Sequence, residues 1–198
     1  AALKNGMTLK TLLKQVAEFR QNNTQTPIVL MGYANPIEAM GQAEFVAAAK
    51  AAGIDGVLTV DSPPEESGDL AGRLAQAGLD VICLIAPTTT PERIAYIGQH
   101  ATGYVYYVSV KGVTGSGHLD FEEIGRRIPD IRECVGLPVG VGFGIRDAAT
   151  AAKMAAIADA VIVGSRFIEE LERAPQGEEA ARIGALAREL RAGVDRGY

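Results

Sequence analysis

Two glycine-bearing turns near the end of the chain carry its clearest chemical signal. Gly142-Phe143-Gly144 closes an apolar run just ahead of a helix-like segment beginning near Arg146, and Gly164-Ser165 leads directly into another. A helix N-terminus presents unpaired backbone N–H groups and the positive end of the helix dipole, and glycine lets an anion approach the backbone. Either turn alone reads as an ordinary strand-to-helix connection. Together, in consecutive units, they predict a phosphate site. Neither is a dinucleotide fingerprint, and no Walker sequence is present. Upstream, Lys111–His118 places three glycines among Lys, Thr, Ser and His, the composition of a lid over a site rather than of a plain connection. Tyr106 lies inside an apolar strand, where a tyrosine is ordinarily core, yet close enough to its carboxyl end to reach a ligand. His118 falls near a helix start, His100 caps a helix end, and two histidines so far apart form no metal site. Glu65-Glu66 suit the first turn of a helix.

These residues need elements to hold them. Apolar runs at Ile28–Gly32, Gly56–Val60, Val81–Ile85, Tyr104–Val108, Val139–Val141 and Ala160–Val163 lack polar alternation, as strands buried on both faces of a parallel sheet do. Between them lie helical patterns at Thr8–Arg20, Gly41–Ala52, Glu65–Ala77, Pro91–Gln99, Phe121–Glu133 and Arg146–Ile157, with Arg166–Arg173 and Glu178–Arg191 last. The spacing is that of strand-helix units with right-handed crossovers. Six parallel strands fit an open doubly wound sheet or six of the eight strands of a (β/α)8 barrel. The barrel is modestly favoured: the chain opens at Ala1 on a helix, and two further units of about 30 residues would give a normal barrel length. Nothing splits residues 1–198 into more than one domain. In either architecture ligands bind at the carboxyl ends of the strands, where Tyr33-Ala34-Asn35-Pro36, Asp61-Ser62-Pro63-Pro64 and Ala86-Pro87-Thr88-Thr89 also fall.

The composition excludes several classes. With 19 Lys+Arg against 24 Asp+Glu, the formal charge of −5 argues against a nucleic-acid surface. No apolar run reaches the roughly 18 residues of a membrane span. Cys83 and Cys134 form neither a metal spacing nor a disulfide framework, and with no secretion leader ahead of the first helix a cytoplasmic location is expected.

Four stretches then become recognisable in order: Pro27–Pro36 (PIVLMGYANP), Asp61–Glu66 (DSPPEE), Ser109–Gly115 (SVKGVTG) and Pro138–Ile145 (PVGVGFGI). They closely resemble the tryptophan synthase alpha subunit family. The resemblance implies a (β/α)8 barrel, represented here by six strands and without the first quarter of the family's length. It implies cleavage of indole-3-glycerol phosphate to indole and glyceraldehyde 3-phosphate. It also implies an α2β2 complex whose beta subunit carries pyridoxal phosphate and receives the indole; the alpha chain itself holds no cofactor and no metal. By the resemblance, Gly115, Gly144, Gly164 and Ser165 hold the substrate phosphate, and Tyr33, Tyr106 and Phe143 line the indole pocket. Thr114 belongs to the mobile loop, while Asn35, Asp61 and Pro63 face the beta subunit. The family's catalytic glutamate and aspartate lie in an E-L-G-x-P-F-S-D-P stretch that this sequence does not contain, so no catalytic residue is assigned here. Without them the chain is expected to bind but not to turn over, and its open sheet edges invite self-association. Two other readings remain: another phosphate-binding barrel enzyme of the same pathway, or a non-catalytic binding partner of the beta subunit.

Overall fold

Thr8 accepts the Thr11 amide on its hydroxyl and so caps α1 (Leu9–Arg20), whose Leu13 and Val16 are buried. From this capped start the computed structural model describes residues 6–109, 120–142 and 144–197. The chain divides into two compact units, Ala1–Cys83 with His100–Gly103, and Leu84–Gln99 with Tyr104–Tyr198.

In the first unit β1 (Val29–Gly32) is followed by α2 (Ala34–Met40) and α3 (Gln42–Ala52). Then come β2 (Gly56–Thr59), α4 (Gly68–Gln76) and β3 (Asp80–Val81). The three strands form one sheet in the order β1-β2-β3, with β2 parallel to both neighbours. Its core is aliphatic and aromatic: Phe45, Val46, Ala49 and Ala52 from α3 meet Leu13, Val16, Val57, Leu70 and Leu74. Expelling such side chains from water is the dominant stabilising term.

The second unit carries β4 (Cys83–Ile85) from Leu84 on, α5 (Pro91–His100) up to Gln99, β5 (Val105–Val108), α6 (Phe121–Val135) and β6 (Val139–Gly142). It ends with α7 (Ala148–Ala155), β7 (Ala160–Ile162), α8 (Ser165–Arg173) and α9 (Glu179–Gly197). Its sheet runs β4-β5-β6-β7, and both β5–β6 and β6–β7 are parallel. Val105, Tyr107, Val139 and Val141 are buried together with Ile124, Ile128 and Ile131 of α6. Helix α9 packs on α7 through glycine: a Cβ on Gly193 would sit 2.7 Å from the Ala148 Cα, and one on Gly197 would sit 2.8 Å from the Ala155 Cβ.

Several expectations change. The run Val81–Ile85 is two strands, because Val81 exchanges hydrogen bonds with Thr102 while the Ile82 amide turns to the Val57 carbonyl. The described residues therefore hold seven strand segments in two open sheets, where six strands of an incomplete barrel were expected. Tyr33–Pro36, read as a loop, opens α2, with Tyr33 as its N-cap. Glu65 and Glu66 precede α4 rather than start it, because the amides of Glu66 and Ser67 turn back to the Pro63 carbonyl. Helix α7 begins at Ala148, after Asp147, and α9 continues beyond Arg191 to Gly197.

Candidate functional site

In the first unit, the carboxyl ends of β1 and β2 are tied to each other. Asp61, just beyond β2, accepts the Ala34 amide at 2.8 Å and so holds the first turn of α2 against the following loop. Asn35 lies in that turn, and Pro63 lies in the loop Asp61 opens. Tyr33 stands 63% exposed at the α2 N-cap. It borders a cavity of about 610 Å³ lined chiefly by apolar side chains, among them Leu9, Leu30, Met31, Ile37, Met40 and Phe45. The structure thus brings Tyr33, Asn35, Asp61 and Pro63 to one edge of one sheet.

In the second unit, β5 and β6 face each other through tyrosine and glycine. Tyr106 is in register with Gly140, but its ring leans forward so that its hydroxyl lies over Gly142, where a Cβ would collide with it. The Tyr104 ring lies over Gly140 in the same manner, 3.4 Å from where a Cβ would stand. Two glycines on one face of β6 therefore make room for two phenols, the upper one reaching toward the strand's carboxyl end. Burial pushes the Tyr106 hydroxyl above the usual tyrosine range; burial raises Tyr104 too, with Tyr106 beside it adding to the shift. Both stay protonated near neutral pH, which suits them to donate a hydrogen bond or pack on a ring, not to act as bases. Ser109 closes this end: its amide and hydroxyl both donate to the Gly142 carbonyl, at 3.2 and 3.0 Å.

The two helix N-termini expected to hold phosphate are built oppositely. At α7 the Asp147 carboxylate accepts the Thr150 amide at 2.8 Å, and the Thr150 hydroxyl returns to the Asp147 amide and carboxylate in a capping box. Those bonds from the Thr150 amide and hydroxyl hold the Asp147 carboxyl below the ordinary carboxylate range. A negative charge already occupies this terminus. At α8 the N-cap is Gly164, which offers no side chain, and a Cβ there would meet nothing within 4 Å. The amides at Ser165 and Arg166 thus begin a helix with a positive dipole end and no side chain capping it. Gly144, three residues before Asp147, takes a φ of +74° that favours glycine. Gly142 and Ile162 are register partners, so these turns leave adjacent parallel strands at the same end.

Gly115, Thr114 and Phe143, with Lys111 and His118, lie outside the described residues. Sequence reasoning missed three contributors: Tyr104, Ser109 and Asp147. Tyr104 and Ser109 were hidden because strand alternation does not say which face is lined by glycine. Asp147 was legible as an N-cap candidate, an Asp standing just ahead of an alanine-rich helical run. Among the described residues no group of three His, Cys, Asp or Glu could hold a metal ion, and no helix is long and apolar enough to cross a membrane. Burial pushes the Cys83 thiol up to about 11, which makes it a poor nucleophile, and Cys134 is an exposed free thiol.

Comparison with known proteins extends this geometry. The family model of the tryptophan synthase alpha chain matches residues 1–194. The tryptophan synthase alpha chain of Dechloromonas aromatica is 57% identical over 194 residues, covering 98% of this chain and 72% of its own length. Among solved structures, tryptophan synthase subunit alpha of Legionella pneumophila superposes with a TM-score of 0.87 at 37% identity, over 98% of this chain and 72% of that one. A structure of the tryptophan synthase α2β2 complex from Pyrococcus furiosus gives 0.83 at 32% identity, over 98% and 77%.

Proposed function

The chain belongs to the tryptophan synthase alpha chain family of lyases, and on that premise we propose that its strand ends form the binding part of a site that cleaves indole-3-glycerol phosphate to indole and glyceraldehyde 3-phosphate. The observation that carries the reading is the uncapped N-terminus of α8, which leaves its strand at the same end as the Tyr106–Gly142 contact. The substrate phosphate is held at Gly164 and Ser165, with Gly144 in the turn of the adjacent strand, and the family resemblance adds Gly115 to this set. The indole packs on Tyr106; the family resemblance assigns Tyr33 and Phe143 to the indole pocket as well, and Thr114 to the mobile loop. Carbon–carbon cleavage requires a proton delivered to indole C3 and a base for the glycerol hydroxyl. The tyrosines stay protonated near neutral pH, and the carboxylates present do not match the positions of the family's catalytic pair. The chain by itself binds substrate and does not turn it over. Measuring indole release tests this: turnover near that of an intact alpha chain would refute it.

The same reading holds that the sequence lacks the family's first quarter. Its support is the coverage of 72% of the relatives' length and the state of β1, which among the described residues pairs only with β2 and leaves Met31 58% exposed beside the apolar cavity. Open edges of this kind also favour self-association. An intact mass of the protein separates a chain of 20.8 kDa from a longer one. For a partner, the loops of Asn35, Asp61 and Pro63 face a beta subunit carrying pyridoxal phosphate, consistent with the α2β2 relative. Beta-subunit activity with and without the chain tests that contact, and the reaction belongs in the cytoplasm.

A further inference from the structure

Helix α8 is held unlike its neighbours. None of its residues is buried, and Ile168 and Leu171 are 56% and 45% exposed, so apolar packing does little to fix it. Its polar ties converge on Glu170. One oxygen of that carboxylate meets the Arg166 guanidinium at 2.9 Å, and the other meets Arg182 of α9 at 3.5 Å. The Glu170 side chain is 14% exposed and that of Arg166 22%, so the pair is screened far less than a surface ion pair. Arg182, in turn, belongs to a helix seated backbone-to-backbone on α7. Charge, not side-chain burial, therefore links α8 to the body of its unit, and Arg166, which the link holds, is the second residue of the helix.

We propose that Arg166, Glu170 and Arg182 act as a positioning triad that holds the first turn of α8, and with it the Gly164–Ser165 amides, in place for the substrate phosphate. The proposal rests on the phosphate reading above and deepens it. Arg166 acts as an anchor rather than a ligand: its guanidinium is directed toward Glu170, one helical turn along. A turn whose amides must converge on one anion binds weakly in proportion to the fraction of time it is misplaced. The triad removes that loss without adding a contact to the anion.

Titrating the full chain with inorganic phosphate, and following the backbone amide resonances of Gly164, Ser165 and Arg166, reads the effect at the site. In the unaltered chain these amides shift and saturate. Glu170→Ala and Arg182→Ala each weaken phosphate binding about fivefold, with melting temperature nearly unchanged, and Arg182→Lys restores most of the affinity. Arg182, half exposed on α9, keeps the test usable should Glu170→Ala fold poorly. If Arg166 were instead a phosphate ligand restrained by Glu170, Glu170→Ala would tighten binding, and that result overturns the proposal. Unchanged affinity in both variants overturns it as well while leaving the phosphate site standing. Absence of any amide shift in the unaltered chain overturns the site and the triad together.

Discussion

The two units solve one problem identically and another in opposite ways. In the first, Asp55, just before β2, accepts the Ile28 amide at 2.7 Å and the Arg20 guanidinium at 2.6 Å, and returns its own amide to the Ile28 carbonyl. In the second, Asp159, just before β7, accepts the Val139 amide at 2.9 Å and the Arg132 guanidinium at 3.0 Å, and returns its amide to the Val139 carbonyl. Both brackets join the end of one helix to the starts of two adjacent strands. The spaces between elements are filled differently. Around α3 the first unit packs aliphatic and aromatic side chains against one another, whereas the second uses glycines to bring in a helix backbone at Gly193 and tyrosine rings at Gly140 and Gly142. A repeated strand-helix plan thus fixes where polar brackets go but leaves the filling free. The first unit should be sensitive to truncation and the second to growth.

The most severe break in that contrast is a pair of substitutions. Phe45→Ala empties a side chain that is 1% exposed in the first unit and should cost about 3–5 kcal/mol. Gly193→Val drives a branched side chain into the Ala148 backbone and should cost about 3 kcal/mol or more, because a helix backbone cannot yield as a side-chain tip can. Hydrogen exchange resolved by segment should show the loss concentrated in the unit that carries each change. Equal loss in both units for either variant would contradict the division of labour. Next in size is Gly142→Ala, whose methyl group displaces the Tyr106 hydroxyl at a cost of about 2 kcal/mol. Coupling with Tyr106→Leu should recover part of that cost in a double-mutant cycle, and additive effects would mean that the ring and the glycine do not share one space.

The brackets themselves are unequal. Arg20 has a side chain 14% exposed and donates to the carbonyls of Gly53, Asn23 and Thr26 as well as to Asp55. It can lie so close to Gly53 because that residue ends α3 with a φ of +85° and has no Cβ to meet the Arg20 stem at 2.9 Å. Arg132 has a side chain 44% exposed. Arg20→Ala should therefore destabilise by about 2 kcal/mol, and Arg132→Ala by no more than about 0.5 kcal/mol, in urea unfolding. Equal values would mean that the carbonyl bonds of Arg20 contribute nothing.

Much of this plan was legible before any coordinates. Strand-helix alternation, the Thr8 cap and the grouping of unusual residues at strand ends follow from local pattern. The family resemblance rests on four stretches at or just beyond strand ends, although Tyr106, Gly164 and Ser165 lie outside them. What local pattern could not supply was long-range. The break at Ile82 depends on which neighbour each amide finds. Helix α2 was hidden because Tyr33-Ala34-Asn35-Pro36 has loop composition, and its first amide is satisfied by Asp61, 27 residues away. The N-termini of α7 and α8 look alike in sequence because glycine precedes both, and only the Asp ahead of the Ala148 helix hints that one is closed.

That distinction gives a small predicted effect and the most direct link to function. The Asp147 carboxyl is held below its ordinary range by hydrogen bonds it has only when folded. Its contribution is therefore fully present above the unfolded carboxyl pKa and lost as pH falls through the folded one. Asp147→Ala should lower stability by about 1 kcal/mol at neutral pH. The difference from the unaltered chain should shrink on acidification below about pH 4, near the unfolded carboxyl pKa, and not on alkalinisation. The same substitution uncovers the first-turn amides of α7 and removes the anion stationed there. If α8 alone receives the substrate phosphate, inorganic phosphate will shift the α7 amides of this variant only weakly, while the Gly164 and Ser165 shifts keep their midpoint. If phosphate at α8 instead draws on both helices, removing the competing carboxylate tightens that midpoint. The closed terminus would then be a limit on affinity rather than a structural cap.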